Sequence, residues 1–473
     1  MHQLFESILE HANTNVLAPA ICGAGRIVSY RDLVNALCNL CAAFEARGLA
    51  PGTKIFVNVV DPDIRLIAHL AAIHYGLVPF VLFGPSQVPG QVDHEFVVGT
   101  NDPLATDIPA DLLIGENIFS TSDRPLSAWG NRPRADSDLM LVATTSGTTG
   151  QWKLIGETCG HFSFQLDKSH DYAVGDRTMV IMGELSLMTL RVAVRTLAYG
   201  ATLVRASTDD QLTSLRMINL FAVNKLVVAP KTLDRLMDLM EDMSIRCPSL
   251  TSISVTGSLF VRSMLERAER LFDAEFIVLY GSSEVGGIAA GPVRSATFEP
   301  GYVGPIRNYL QVRIDAEQDG EPGQVVLRND PVLIQRYYEN GAIVPNEAEE
   351  YRMPDLGVIR DGCLYISGRD DEVYNYSGDK IAFSEIIDCL LAEEAVSDAA
   401  AIQAPGDPDP FGLKIAVVGK GTVDVERLRS LICDKLGRRT IGRHLDIRPV
   451  TQIRRNASDK VDRRALLAMF PQR

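Results

Sequence analysis

Residues Thr144 to Lys153, reading Thr-Thr-Ser-Gly-Thr-Thr-Gly-Gln-Trp-Lys, gather the groups that an anion needs. Gly147 and Gly150 let the backbone take positive φ and come close to a ligand. Thr145, Ser146, Thr148 and Thr149 add hydroxyl donors, and successive N–H groups in such a loop form an anion-holding nest. Lys153 sets a cation at the rim. That chemistry suits a polyphosphate. The spacing is not that of a Walker loop, because no Gly-Lys-Ser/Thr follows. Taken alone, the stretch is equally compatible with a Ser/Thr/Gly surface loop. Two later stretches bear on that choice: Tyr280-Gly-Ser-Ser-Glu284, and Asp355-Leu-Gly-Val-Ile-Arg-Asp-Gly-Cys-Leu-Tyr-Ile-Ser-Gly-Arg369.

In this order, the three stretches resemble the core motifs of the adenylate-forming (AMP-binding) ligases. That superfamily spans acyl- and aryl-CoA synthetases, luciferases and the adenylation domains of nonribosomal peptide synthetases. The resemblance covers nearly the whole chain. It implies that ATP, with Mg²⁺, activates a small carboxylic acid as an acyl- or aryl-adenylate with release of pyrophosphate. It further implies transfer to the thiol of CoA or of a phosphopantetheinyl carrier protein. No serine-bearing carrier domain follows Arg473, so that acceptor is expected to be a separate molecule.

Residue roles follow from the same resemblance. The loop from Thr145 through Gly150, with Lys153, would hold the β- and γ-phosphates. Glu284 would ligate Mg²⁺, a hard cation suited to carboxylate and phosphate oxygens. Ser283 stands where the family usually has Thr and would meet the α-phosphate. Gly257, Ser258 and Leu259 would line the adenine, with Tyr280 stacked on the base and Gly281 and Ser282 beside it. Asp355 would accept from the two ribose hydroxyls, a sound use of a carboxylate, and Arg369 would add a ribose or phosphate contact. Gly183, Glu184 and Ser186 fall where the acid pocket begins. Glu184 is either the partner of a substrate amine or phenol, since a buried carboxylate needs one, or a solvated loop residue. Lys460, in Asn456-Ala-Ser-Asp-Lys-Val-Asp462, resembles the lysine that bridges the substrate carboxylate and the α-phosphate. A flexible point charge on a mobile domain fits that task. Asp370 would be the hinge, and Ser377 and Gly378 the loop presented for thiolation.

Some positions depart from the family pattern. Trp152 replaces a proline, Asp459 replaces a glycine, and Asn375 takes a usual lysine position. Asn at that last position, with Gly378-Asp-Lys-Ile-Ala382, is similar to stand-alone aryl- or small-acid adenylating enzymes. An amino-acid adenylating enzyme is the alternative within enzymes. A catalytically degenerate nucleotide-binding member is the alternative of another class.

Elements must bring these stretches together. The hydroxyl loop follows an apolar run, Leu139 to Ala143, and Tyr280 follows Phe276 to Leu279, both of strand length and character. Between them strand-like runs (178–182, 201–205, 225–229, 252–255, 275–279) alternate with helix-period segments (187–199, 212–221, 232–243, 261–272). Alternation of this kind predicts helix-covered, mainly parallel sheets, with ligands at the carboxyl ends of strands. Ser29 predicts a helix N-cap, with Asp32 three residues on and Gly48 as the stop. From about 300 to 366, β-branched runs broken by Gly, Pro and Asp predict a small β-rich subdomain. Gly368 to Asp371 reads as a polar break. Beyond it a compact α+β pattern follows, with helices at 384–391, 425–436 and 463–470 and strands at 398–402, 414–418 and 445–449. The expected division is a large domain, 1–369, and a small mobile one, 370–473.

At 473 residues the chain is long for one core. A net charge of −14 argues against a nucleic-acid binder and against an anionic membrane surface, so an anionic substrate must be held by local donors. Leu66 to Gly84 is uncharged over a membrane-spanning length, but it contains His69, His74, Gly76 and Pro79 and reads as a core helix and strand. The eight cysteines are scattered, and Cys38 and Cys41 fall on the core face of a helix with Leu37 and Phe44. The N-terminus has no basic and apolar signal pattern, so a reducing cytoplasm is expected.

Overall fold

The computed structural model describes residues 2–82, 92–102, 108–129, 134–145, 153–167, 172–182, 186–206, 210–258, 260–318, 320–330, 336–339, 341–344, 348–369, 372–376, 379–403, 412–435, 439–455 and 461–470. Near the N-terminus, Ser29 caps the helix Tyr30–Ala46. Its hydroxyl accepts from the Asp32 amide at 3.1 Å, and the Asp32 carboxylate accepts from the Ser29 amide at 3.2 Å. Asp thus closes the reciprocal box that Glu more often closes. Leu33, Leu37, Cys38, Leu40, Cys41 and Phe44 form the buried face of that helix. The next helix, Pro62–Tyr75, is buried almost all round and leads into the strand Val78–Val81. No described helix is long and apolar enough to cross a membrane.

Eight elements position the candidate site: β1 (Leu139–Thr145), β2 (Lys153–Thr158), α1 (Cys159–Asp167), α2 (Leu187–Ala198), β3 (Glu275–Ser282), β4 (Gly286–Val293), β5 (Glu350–Arg360) and β6 (Cys363–Arg369). They belong to three sheets. The first has the order β4, β3, Ser252–Thr256, Lys225–Val228, Arg177–Ile181, Thr202–Arg205, Pro19–Cys22, Ile27–Ser29. Its interior pairings are parallel and its two outermost are antiparallel. The second has the order Ala342–Ile343, Arg336–Glu339, β2, β1, Val78–Val81, Lys54–Asn58, Phe96–Gly99, Leu112–Leu113. A layer of helices, including Tyr30–Ala46, Pro62–Tyr75 and α2, lies between these sheets and shares one core with both, from Ile21 and Leu203 to Ile55 and Leu141. Helices on the other face of the first sheet bury Leu215, Leu233, Leu236 and Leu265.

The third sheet is antiparallel throughout, with the order Tyr302–Pro305, β6, β5, Gly323–Arg328, Val312–Asp315. Val303, Val325, Leu364 and Ile366 pack it into the core of the first sheet. Between its strands Gly323–Arg328 and β5, the segment Arg336–Glu339 pairs with β2, Tyr337 opposite Ile155, so the chain visits the edge of the second sheet before returning to the third. Toward the C-terminus a three-stranded sheet, Val396–Ile402, Leu413–Gly419 and Leu445–Pro449, has its own cores. Ile415 and Val417 face the helices Phe383–Leu391 and Val425–Lys435, while Ala416 faces Leu466 and Phe470, as the two-residue side-chain period of a strand requires.

The architecture is therefore the expected one: mixed α/β, with large parallel-sheet layers and a small C-terminal α+β region. Two local expectations change. The strand ending near Leu279 continues through Tyr280, Gly281 and Ser282 as β3, because β4 pairs with it across a register shift after Tyr280. The polar break expected at Gly368 begins later, because Gly368 and Arg369 complete β6 opposite Leu356 and Asp355.

Candidate active site

The hydroxyl loop joins β1 to β2, an antiparallel pair in which Thr145 faces Lys153. Ser146 to Gly150, with Trp152, lie outside the described residues. Lys153 is exposed, and its Nζ sits 4.9 Å from the centre of the Tyr337 ring. Behind the loop, the Thr144 hydroxyl is buried without a hydrogen-bond partner among the described residues. Such a group is a donor in waiting.

A second tight turn, Ser283-Glu284-Val285, joins β3 to β4. Sequence forces its tightness. A Cβ on Gly281 would stand 2.0 Å from the Gly286 carbonyl oxygen, and Gly286 itself has φ +81°. Only glycine fits either place. Glu284 and Ser283 are partly buried in this turn, and the Ser282 hydroxyl accepts from the Val285 amide at 3.2 Å.

The third contribution comes from β5 and β6. Asp355 and Arg369 are register partners. The Tyr280 hydroxyl donates to Asp355 Oδ2 at 2.8 Å, tying β3 to β5. Burial, then the neighbouring Asp355 carboxylate, hold the Tyr280 phenol well above its ordinary pKa, and Arg369 pulls the other way. Tyr280 is accordingly a fixed donor. Expected as a stacking ring, Tyr280 is seen here through its hydroxyl, the strut that orients Asp355.

Tyr351 on β5 joins these parts. Burial first, then the Glu284 carboxylate, push its phenol far up, with Tyr337, its hydrogen-bond partner, and Asp355 adding to the shift. Lys153 thus lies over Tyr337, the partner of Tyr351, while Tyr280 bonds Asp355, the register partner of Arg369, and the Glu284 and Asp355 charges both act on the Tyr351 phenol. Sequence inspection missed Tyr337 and Tyr351. A tyrosine in a strand signals packing as readily as function.

The remaining expected residues divide in two. Gly257 and Ser258 are exposed and follow the strand Ser252–Thr256, whose Thr256 is the register partner of Leu279, so they stand beside Tyr280. Ser186 is buried and caps α2, accepting from the Thr189 amide at 3.0 Å. Gly183, Glu184, Leu259, Asp370, Ser377, Gly378 and Lys460 lie outside the described residues.

The donor set suits a magnesium nucleotide. Glu284 offers one half-buried carboxylate oxygen donor and leaves the other positions of a hard cation to phosphate and water. No group of three His, Cys, Asp or Glu side chains able to hold a metal by protein ligands alone occurs among the described residues.

The sequence profile of the AMP-binding enzymes matches residues 101–338. The chain belongs to that family. It is thereby an AMP-forming ligase of the adenylate-forming superfamily, whose members use ATP. The 2-succinylbenzoate–CoA ligase of Lactococcus lactis subsp. lactis (strain IL1403) is 23% identical over 382 residues, 78% of this chain and 79% of the relative. Among solved structures, amide bond synthetase McbA from Marinactinospora thermotolerans superposes with a TM-score of 0.80 at 21% identity, covering 99% of both chains. The O-succinylbenzoate coenzyme A synthetase (MenE) of Bacillus subtilis, solved with ATP and magnesium ion, gives 0.76 at 17% identity over 98% of this chain and 99% of that one. At these identities the two structures speak for the family's fold.

Proposed function

We propose that this ligase condenses a small carboxylic acid, aryl acids being the nearest class by pattern, with ATP to an acyl-adenylate and pyrophosphate. The acyl group then passes to the thiol of CoA or of a carrier protein. The observation that carries the reading is the gathering of Lys153, Tyr337, Tyr280 with Glu284, and Tyr351 with Asp355 and Arg369 from four separated parts of the chain. Adenylation brings two anions together, neutralises the α-phosphate and stabilises a leaving pyrophosphate.

In this reading Lys153 and the hydroxyl loop hold the outer phosphates. Asp355, oriented by Tyr280, clamps the ribose, with Arg369 beside it. Glu284 holds Mg²⁺, which when bound neutralises phosphate charge. Ser283 meets the α-phosphate, Gly257 to Leu259 flank the base, and Gly183 to Ser186 begin the acid pocket. Lys460 is delivered by the region beyond Asp370, which turns to present the Ser377–Gly378 loop to the thiol.

Acid-dependent ATP–pyrophosphate exchange with aryl, hydroxy, fatty and amino acids tests the proposal, with Lys460→Ala as the control. Exchange with an aryl or other small acid, lowered at least about 100-fold by Lys460→Ala, supports it. Exchange with amino acids alone would make the chain an amino-acid adenylating enzyme. ATP binding with no exchange for any acid would make it a nucleotide binder.

A further inference from the structure

The turn that carries Glu284 is gripped from below on both sides. Arg191 of α2 donates to the Ser283 carbonyl at 3.4 Å, and Gln165 of α1 donates to the Val285 carbonyl at 3.2 Å. These are the carbonyls of the two residues that flank Glu284. Each gripping side chain is itself held. Arg191 lies 3.3 Å from the Glu157 carboxylate and 3.5 Å from His161, and Arg195 donates to Gln165 Oε1 at 3.1 Å.

His161 and Gln165 are one helical turn apart on α1, as Arg191 and Arg195 are on α2, so two polar ladders meet face to face. The seam is deeply buried: Glu157 is 0% exposed, His161 0%, Arg191 5% and Gln165 5%. Burial, then the two arginines, keep the His161 pKa well below its ordinary value, so the imidazole is neutral and adds no third cation. A charged seam in an apolar interior costs stability against a well-packed apolar one. Rigid placement of a polar turn is what it supplies in return. The approach is close enough that a Cβ on Gly286 would meet Gln165 Nε2 at 2.7 Å.

We propose that Gln165 and Arg191 are positioning residues for Glu284, setting the carboxylate where a magnesium nucleotide needs it. The inference rests on the assignment of Glu284 above. Neither residue touches substrate; both act through the backbone of the turn.

The test is binding of Mn²⁺–ATP to the whole chain, followed by water-proton relaxation, which needs neither acid nor turnover. Glu284→Gln sets the scale. Gln165→Leu removes one grip, and Arg191→Lys keeps a cation beside Glu157 while giving up the reach to the Ser283 carbonyl. Each should weaken Mn²⁺–ATP about 10-fold while the unliganded chain still melts cooperatively, at a midpoint lowered only by the lost buried hydrogen bonds. Combined with Glu284→Gln, neither should weaken it further, because both act through that one carboxylate. Unchanged affinity in Gln165→Leu and Arg191→Lys, where Glu284→Gln does weaken it, overturns the positioning role alone. So does a loss that adds in full to that of Glu284→Gln. If Glu284→Gln changes nothing, the metal assignment falls and the positioning role with it.

Discussion

Tyr280 shows how much one hydroxyl carries. Its bond to Asp355 ties β3 to β5 at the site. Hydrogen bonds to charged groups contribute about 1.5–3 kcal/mol. Tyr280→Phe should therefore raise KM for ATP about 10-fold and leave KM for the acid alone, measured from substrate dependence of pyrophosphate exchange. A rise in the acid KM instead would move Tyr280 to the other pocket. His69, far from this chemistry, sets a different dependence. Its Nδ1 bonds the Arg65 carbonyl at 2.7 Å, and burial lowers its pKa from 6.5 to about 4. Above pH 6.5 the imidazole is neutral folded or unfolded, and its contribution is complete. As pH falls from 6.5 toward 4 the unfolded chain takes up a proton that the fold refuses, and stability falls by about 3 kcal/mol in all. Urea unfolding of His69→Gln between pH 4 and 7 should show that slope reduced; an unaltered slope would assign it to other groups.

Elements were legible in the sequence where one period dominated. The parallel strands from Arg177 to Leu279 and the helices between them followed from apolar runs alternating with amphipathic segments, and the Ser29 cap from two side chains. The two hairpins were not. β2 and β4 are short, polar or glycine-rich, and strand propensity says little of a segment whose partner fixes it. With the hairpins went the seam beneath them: Arg191 interrupts an apolar helix, and Glu157 and His161 stand four apart, a signal that could have been read. The β3–β4 turn depends on the absence of a side chain at Gly281. Gly281→Ala would push the strands apart, cost about 1–3 kcal/mol by overpacking and weaken Mn²⁺–ATP at least about 10-fold by moving Glu284. Gly287→Ala, six residues on and with nothing within 4 Å of its Cβ position, should do neither. Equal losses in both variants would show that strand chemistry, not the turn, is responsible.

Across the whole molecule charge is divided unevenly. Residues 425–473 hold 13 Lys and Arg against 5 Asp and Glu, while the chain as a whole carries −14. Residues 370–424 offset that stretch with 12 Asp and Glu against 3 Lys, so the C-terminal region 370–473 is close to neutral and the negative charge lies mostly in the rest of the chain. Side-chain hydrogen bonds join the C-terminal region to the rest of the chain: Ser384 donates to the Ser367 carbonyl at 3.2 Å, near the junction, and Lys231 makes a second bond farther away. Lys231, on the helix Pro230–Asp242, pairs with Asp234 at 2.9 Å and donates to the Ser397 carbonyl of the C-terminal sheet at 3.0 Å. Arg267 binds Asp234, Asp238 and Glu241 beside it, so the helix face keeps its shape if Lys231 changes. If the C-terminal region turns as proposed, its contacts must be specific yet weak, and hydrogen bonds of about 1 kcal/mol each meet that need. Lys231→Met should lower the population of this arrangement about 5-fold, seen as a broader distance distribution between fluorophores on the two regions. Lys231→Arg should largely restore it. An unchanged distribution in Lys231→Met would mean that other contacts, the bond of Ser384 to the Ser367 carbonyl among them, hold the C-terminal region in place.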